Sequence, residues 1–263
     1  MRQILVVVAA LLLLFPFLPF FYTEDADHAF MASDFGYHDE KTRLEFRLAM
    51  IAAGHSREIS GDRFTRRLFD DIKAFQREIG EQPTGATTQA QVDLIFEQAH
   101  SVIDGWGLRS VRHPEWGHAI WVPANLHLEV EPLPDGIFIR DREDRIHLSF
   151  VHFPGDGSFD AMRLGLTGAG ELPDWVVEDD YFIIESTLDG YRRHLHFHRD
   201  ADGMTGIDIS WRDESAPLYG ERLATVISTS FWAAMTGAPM LEMEPAEFDE
   251  RVYAPAESAA APL

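Results

Sequence analysis

Residues 68–94 read LFDDIKAFQREIGEQPTGATTQAQVDL, and their punctuation sets the architecture of the first half of the chain. Leu68, Ile72, Phe75 and Ile79 recur at spacings of four, three and four, so one face of a helix is apolar and must be buried. Gly80 stands where that helix needs a residue at positive φ, with Pro83 just beyond it. Thr87 or Thr88 then caps a second helix, on which Val92, Ile95 and Phe96 mark one face. Upstream, Leu44, Leu48 and Ile51 form a third amphipathic segment, closed by Gly54. Three short helices around one small core follow.

Over residues 42–99 this punctuation resembles the peptidoglycan-binding-like domain, whose pattern runs roughly A-V-x-x-F-Q-x-x-x-G-L-x-x-T-G before a Thr-capped last helix. Ile72, Phe75 and Gln76 match its first helix, Gly80 the end of that helix, and Thr84-Gly85 the turn that follows. Where the family usually carries Asp-Gly-x-Phe-Gly, this chain has Gly61-Asp62-Arg63-Phe64-Thr65. The resemblance implies that the unit holds peptidoglycan, with Asp62, Phe64, Gln76 and Thr84 as its contacts. Without the resemblance, the same residues are helix-packing positions in a spacer. Domains of this kind often accompany L,D-transpeptidases, whose nucleophile is a cysteine, and this chain has no cysteine. That absence also excludes disulfides and Cys-ligated zinc.

The chain ends speak to compartment. Ile4 to Phe21 is an unbroken apolar run, which as a helix would reach about 27 Å, close to the hydrocarbon thickness of a bilayer. Arg2 precedes it and Glu24, Asp25 and Asp27 follow it, so the charge bias puts the N-terminus in the cytoplasm and the rest outside. Small residues are poorly placed for signal cleavage, so residues 1–22 are expected to be a retained anchor in a bacterial inner membrane, with a removed signal segment as the other reading. Residues 23–38 read as a linker, 39–102 as the helical domain, and 103–241 as a larger domain. Residues 242–263, rich in Ala, Pro and acid, are expected to be disordered. A net charge of −22 and a pI near 4.8 argue against nucleic acid as a partner.

From Trp106 onward the periodicity becomes alternating. Leu126, Leu128 and Val130, then Ile137 and Ile139, then Ile146, Leu148 and Phe150 each mark a strand with one buried face. Further strands fit residues 180–186, 191–198 and 206–211, and the turn signals Pro134-Asp135-Gly136, Asp189-Gly190 and Asp202-Gly203 indicate antiparallel hairpins. A short helix is expected over 158–166 and a covering helix over 219–235, with Leu223, Val226, Ile227 and Phe231 as its stripe. The fold class is α+β. The order of elements resembles the PsbP-like α/β/α sandwich, and residues 180–186 with Gly190-Tyr191-Arg192-Arg193 and Ser228-Thr229-Ser230-Phe231 are similar to a domain found beside peptidoglycan-binding domains in bacterial envelope proteins. A fold resemblance does not supply a function.

The sharpest candidate chemistry is His194, His196 and His198, which alternate with Leu195 and Phe197. Period-two spacing puts three imidazoles on one face, with His127 and His147 as further candidates for that face, and zinc could bridge two of them with a carboxylate. In the plainer reading Leu195 and Phe197 face a core and the histidines line a solvated or helix-covered face. Serine-hydrolase signatures fail: the glycines expected after Ser158 are replaced by Phe159 and Asp160, and no Gly-x-Ser-x-Gly is present. Two functions are therefore in view. The first is a non-enzymatic envelope protein without a cofactor, bound to peptidoglycan and facing the periplasm, with an α+β domain for a protein or small ligand. The second is a metal-dependent envelope hydrolase using the three histidines.

Overall fold

A computed structural model describes residues 24–58, 63–112, 118–126, 128–155, 157–167, 174–215 and 220–239. The apolar run of residues 4–21, the C-terminal tail, Asp62 and His127 lie outside these residues. Among the described residues no helix is long and apolar enough to cross a membrane.

The segment read as a linker contains a helix, α1 (Glu24–Gly36), and its Phe35 ring meets Phe46 and Phe64. The three expected helices follow as α2 (Glu40–Ala53), α3 (Arg66–Glu78) and α4 (Gln89–Trp106). The predicted Gly54 closes α2 at φ 89°, and two N-caps not singled out in the sequence join it. Asp39 caps α2 through the Thr42 N–H and Thr65 caps α3 through the Leu68 N–H. Of the two candidate threonines Thr88 is the cap, forming a reciprocal box with Gln91 at the start of α4. Gly80 has φ 78°, and beside it the Glu81 N–H donates to the Gln76 carbonyl at 2.8 Å, closing the end of α3.

Two sheets follow. A two-stranded ribbon pairs β1 (Leu108–Arg112) with β2 (Ala119–Pro123). The main sheet comprises β3 (Leu128–Leu133), β4 (Gly136–Asp141), β5 (Ile146–Pro154), β6 (Asp174–Val177), β7 (Tyr181–Leu188), β8 (Tyr191–Asp200) and β9 (Gly203–Arg212). Its order is β3-β4-β5-β9-β8-β7-β6, antiparallel throughout. The β7–β8 turn holds Asp189 and Gly190 at φ 52° and 83° between the paired Leu188 and Tyr191, the two positive values a type I′ hairpin demands.

Each face of the sheet is covered by a helix. Helix α5 (Ser158–Thr167) lies over β8 and β9, where Phe159 packs with Val151, Phe182, Ile184, Leu195, Phe197 and Met204. Helix α6 (Glu221–Thr236) lies on the opposite face, touching β2, β8 and β9 on one side and α2 on the other. The predicted stripe of Leu223, Val226, Ile227 and Phe231 is fully buried. It joins Met50 and Ile51 of α2 to Phe150, Ile207 and Ile209 of the sheet in one continuous core.

Candidate functional site

The pairing register fixes which side chains share the α6 face. One row runs His152, Thr205, His198, Tyr181 across β5, β9, β8 and β7, the next runs Phe150, Ile207, His196, Ile183, and the third runs Leu148, Ile209, His194, Glu185. The three histidines do lie together, and their face is the helix-covered one. His194 and His196 are 0% exposed and His198 is 4% exposed. His147 is not with them: it pairs through Ser210 with the Arg193 row on the other face, stacks on Tyr191 and bonds Asp144 at 2.6 Å.

His152 was passed over in the sequence, although the alternation Ile146, Leu148, Phe150 continues directly into it and places it on the buried face.

The buried imidazoles are engaged with one another and with α6. His196 Nδ1 lies 2.6 Å from Ser228 Oγ, and its Nε2 lies 2.9 Å from His198 Nε2. One ring must donate and the other accept across that second contact, so both cannot carry a proton there. The Phe231 ring meets both edge-on, and Tyr181 stacks on His198. Burial pushes His196 well below the ordinary histidine range, with His198 and His194 adding to the effect. Burial likewise lowers His198, to about 4. The pair is a neutral relay running from Ser228 through His196 to His198.

His194 Nδ1 lies 3.4 Å from Glu185 Oε1, and this hydrogen bond holds the Glu185 carboxyl below the usual carboxylate range. The other ring nitrogen, Nε2, is buried without a hydrogen-bond partner among the described residues. At the end of the row nearest the β8–β9 turn, His152 Nδ1 is 3.0 Å from Thr205 Oγ1, and that hydroxyl donates to Asp200 Oδ2 at 2.7 Å.

In the helical unit Gln76 is 1% exposed and staples the 84–86 turn to α3. Its Oε1 accepts the Gly85 N–H at 2.9 Å, and its Nε2 donates to the Ala86 carbonyl at 2.7 Å and to Gln91 Oε1 at 3.3 Å. Thr84 is exposed at the tip of this turn and folds its hydroxyl toward the Ala86 carbonyl at 3.2 Å. Phe64 is half-buried between the rings of Phe35 and Phe69. Apart from Asp62, which lies outside the described residues, the sequence-derived set divides into a buried staple, a packing ring and one surface hydroxyl.

No family model matches the chain, and no curated protein matches it. Among solved structures, the solution structure of cyanobacterial PsbP (CyanoP) from Synechocystis sp. PCC 6803 is similar at 12% identity and a TM-score of 0.36, over 47% of this chain and 90% of that one.

Proposed function

We propose that the chain is a non-enzymatic protein of the bacterial cell envelope, held by its N-terminal apolar run in the inner membrane, with the helical unit against peptidoglycan and the α+β unit presenting a surface to a periplasmic partner. The observation that carries the non-enzymatic reading is the closure of the histidine face. The groups best suited to proton transfer, His194, His196, His198 and Ser228, are almost wholly removed from solvent beneath α6. A general base must come within hydrogen-bond reach of its substrate, and here helix α6 occupies that place. Their burial suits a specific, rigid interior better than turnover.

Peptidoglycan association is supported by the sequence pattern of residues 42–99 and by the prefolded turn that Gln76 holds, which orders a surface loop in advance of any ligand and so lowers the entropic cost of binding. The test uses the whole chain in mild detergent, mixed with insoluble peptidoglycan and centrifuged. The chain is expected in the pellet, with no release of soluble muropeptides on prolonged incubation. A chain that stays in the supernatant removes the wall-binding role, and muropeptide release removes the non-enzymatic one.

A further inference from the structure

Beside the sealed relay lies a second group that reaches the surface through Asp202: buried His152 near the end of β5, half-buried Asp200 at the end of β8 and exposed Asp202 in the β8–β9 turn, each offering one ligand atom within 4.8 Å of the others. We infer that these three residues form a binding site for one divalent metal ion of the zinc type.

The hydrogen bonds around His152 assign its tautomer. Thr205 Oγ1 donates its only proton to the Asp200 carboxylate at 2.7 Å, because an ionised carboxylate accepts and does not donate. Toward His152 Nδ1, 3.0 Å away, the same hydroxyl can then only accept, so Nδ1 carries the ring hydrogen. With Nδ1 holding its hydrogen toward Thr205, the nitrogen left for a metal ion is Nε2, which faces Asp202 Oδ1 at 3.6 Å. An imidazole nitrogen and a carboxylate oxygen thus converge on one point, where a proton on Nε2 or a metal ion can join them. Their separation is close to the ~3.4 Å that divides two ligands on a tetrahedral ion with bonds of about 2.0–2.2 Å. The Thr205 hydroxyl supplies the outer hydrogen bond that orients a metal-binding histidine.

The remaining geometry suits an ion that enters from water. His152 is held on the sheet by its own N–H to the Asp135 carbonyl at 2.7 Å, and the Asp202 carbonyl accepts the Gly155 N–H at 2.7 Å, which fixes the turn against the end of β5. The Asp202 side chain is 79% exposed, giving an entry path and leaving the other coordination positions to water. One imidazole with two carboxylates favours zinc over magnesium or calcium, which prefer all-oxygen sets.

The test is isothermal titration of the metal-free whole chain in mild detergent with Zn2+, Mn2+ and Ca2+, repeated on Asp202→Asn and Thr205→Val. Zn2+ should bind at one equivalent, more tightly than Mn2+, and Ca2+ should bind weakly. Asp202→Asn, an exposed change that leaves the fold intact, should abolish the site. Thr205→Val should weaken it by about 10–100-fold. Added Zn2+ should raise the thermal midpoint of the wild type and leave that of Asp202→Asn unchanged. Absence of Zn2+ binding, or binding that survives Asp202→Asn undiminished, overturns the assignment; in the first case a proton on His152 is the cation between the two atoms.

Discussion

Replacing Gln76 by Met separates a structural role from a binding role at the residue that most strongly carries the peptidoglycan-binding-like pattern. Methionine keeps the length and approximate volume of the side chain and removes every hydrogen bond it makes. The two shortest, to the Gly85 N–H at 2.9 Å and the Ala86 carbonyl at 2.7 Å, contribute about 1 kcal/mol each, and leaving the buried Gly85 N–H unsatisfied adds a further ~1–3 kcal/mol, so a loss of about 3–5 kcal/mol is expected. The turn cannot relax freely, because Gly85 sits against the Phe69 ring so closely that a Cβ built on it would fall 2.1 Å from Phe69 Cε2. Urea unfolding of the whole chain, followed by far-ultraviolet circular dichroism and by tryptophan fluorescence, measures the change. Because helices α2–α4 share their core with the sheet, both probes should move together to a lower midpoint. A change below about 0.5 kcal/mol, the range of ordinary surface substitutions, refutes the staple. If peptidoglycan sedimentation fell while stability stayed constant, Gln76 would be a ligand contact.

Gly206 pairs with Phe197, and a Cβ at Gly206 would fall 2.0 Å from Phe197 Cδ1; Gly206→Ala therefore pushes that ring out of its stack with Phe182 and Phe153 and should cost about 1–3 kcal/mol in urea unfolding, an unchanged midpoint refuting the packing argument. His196 is held neutral in the folded chain with its pKa well below the ordinary value, so below about pH 6.5 the unfolded chain binds the proton that the folded chain excludes. Its contribution to stability is complete above that pH and falls away as pH drops below it; urea midpoints that stay flat from about pH 7.5 down to pH 5 would contradict the buried neutral relay.

Much of the fold was legible because it rests on local chemistry. Gly54, Thr88 and Gly80 act at the helix ends for reasons contained within a few neighbouring residues, and Asp189-Gly190 specifies its hairpin in the same way. The alternation of His194, Leu195, His196, Phe197 and His198 correctly assigned two faces. Which face α6 would cover was not contained in that alternation, since His196 meets Ser228 from 32 residues away. The choice depends on a tertiary contact that turns a polar row into an interior one. Gln76 likewise looked like a binding residue because its partners at 84–86 and Gln91 become partners only after the turn closes. His152, Asp200 and Asp202 lie on two strands and a turn that register alone brings together, and no spacing motif connects them.

The position of α6 has a consequence for the order in which the molecule matures. The helix is the last described element of the chain, yet it lies between α2, among the first, and the middle of the sheet. Until residues 221–236 emerge from the ribosome, α2 lacks the surface that buries Met50 and Ile51, and β8 exposes three imidazoles and the apolar residues beside them. Such long-range closure makes folding slow and leaves a sticky intermediate. A chain truncated before Glu221 should consequently accumulate as an aggregate or be degraded, and efficient maturation of the full chain should depend on a holdase that shields the uncovered sheet until its final helix arrives.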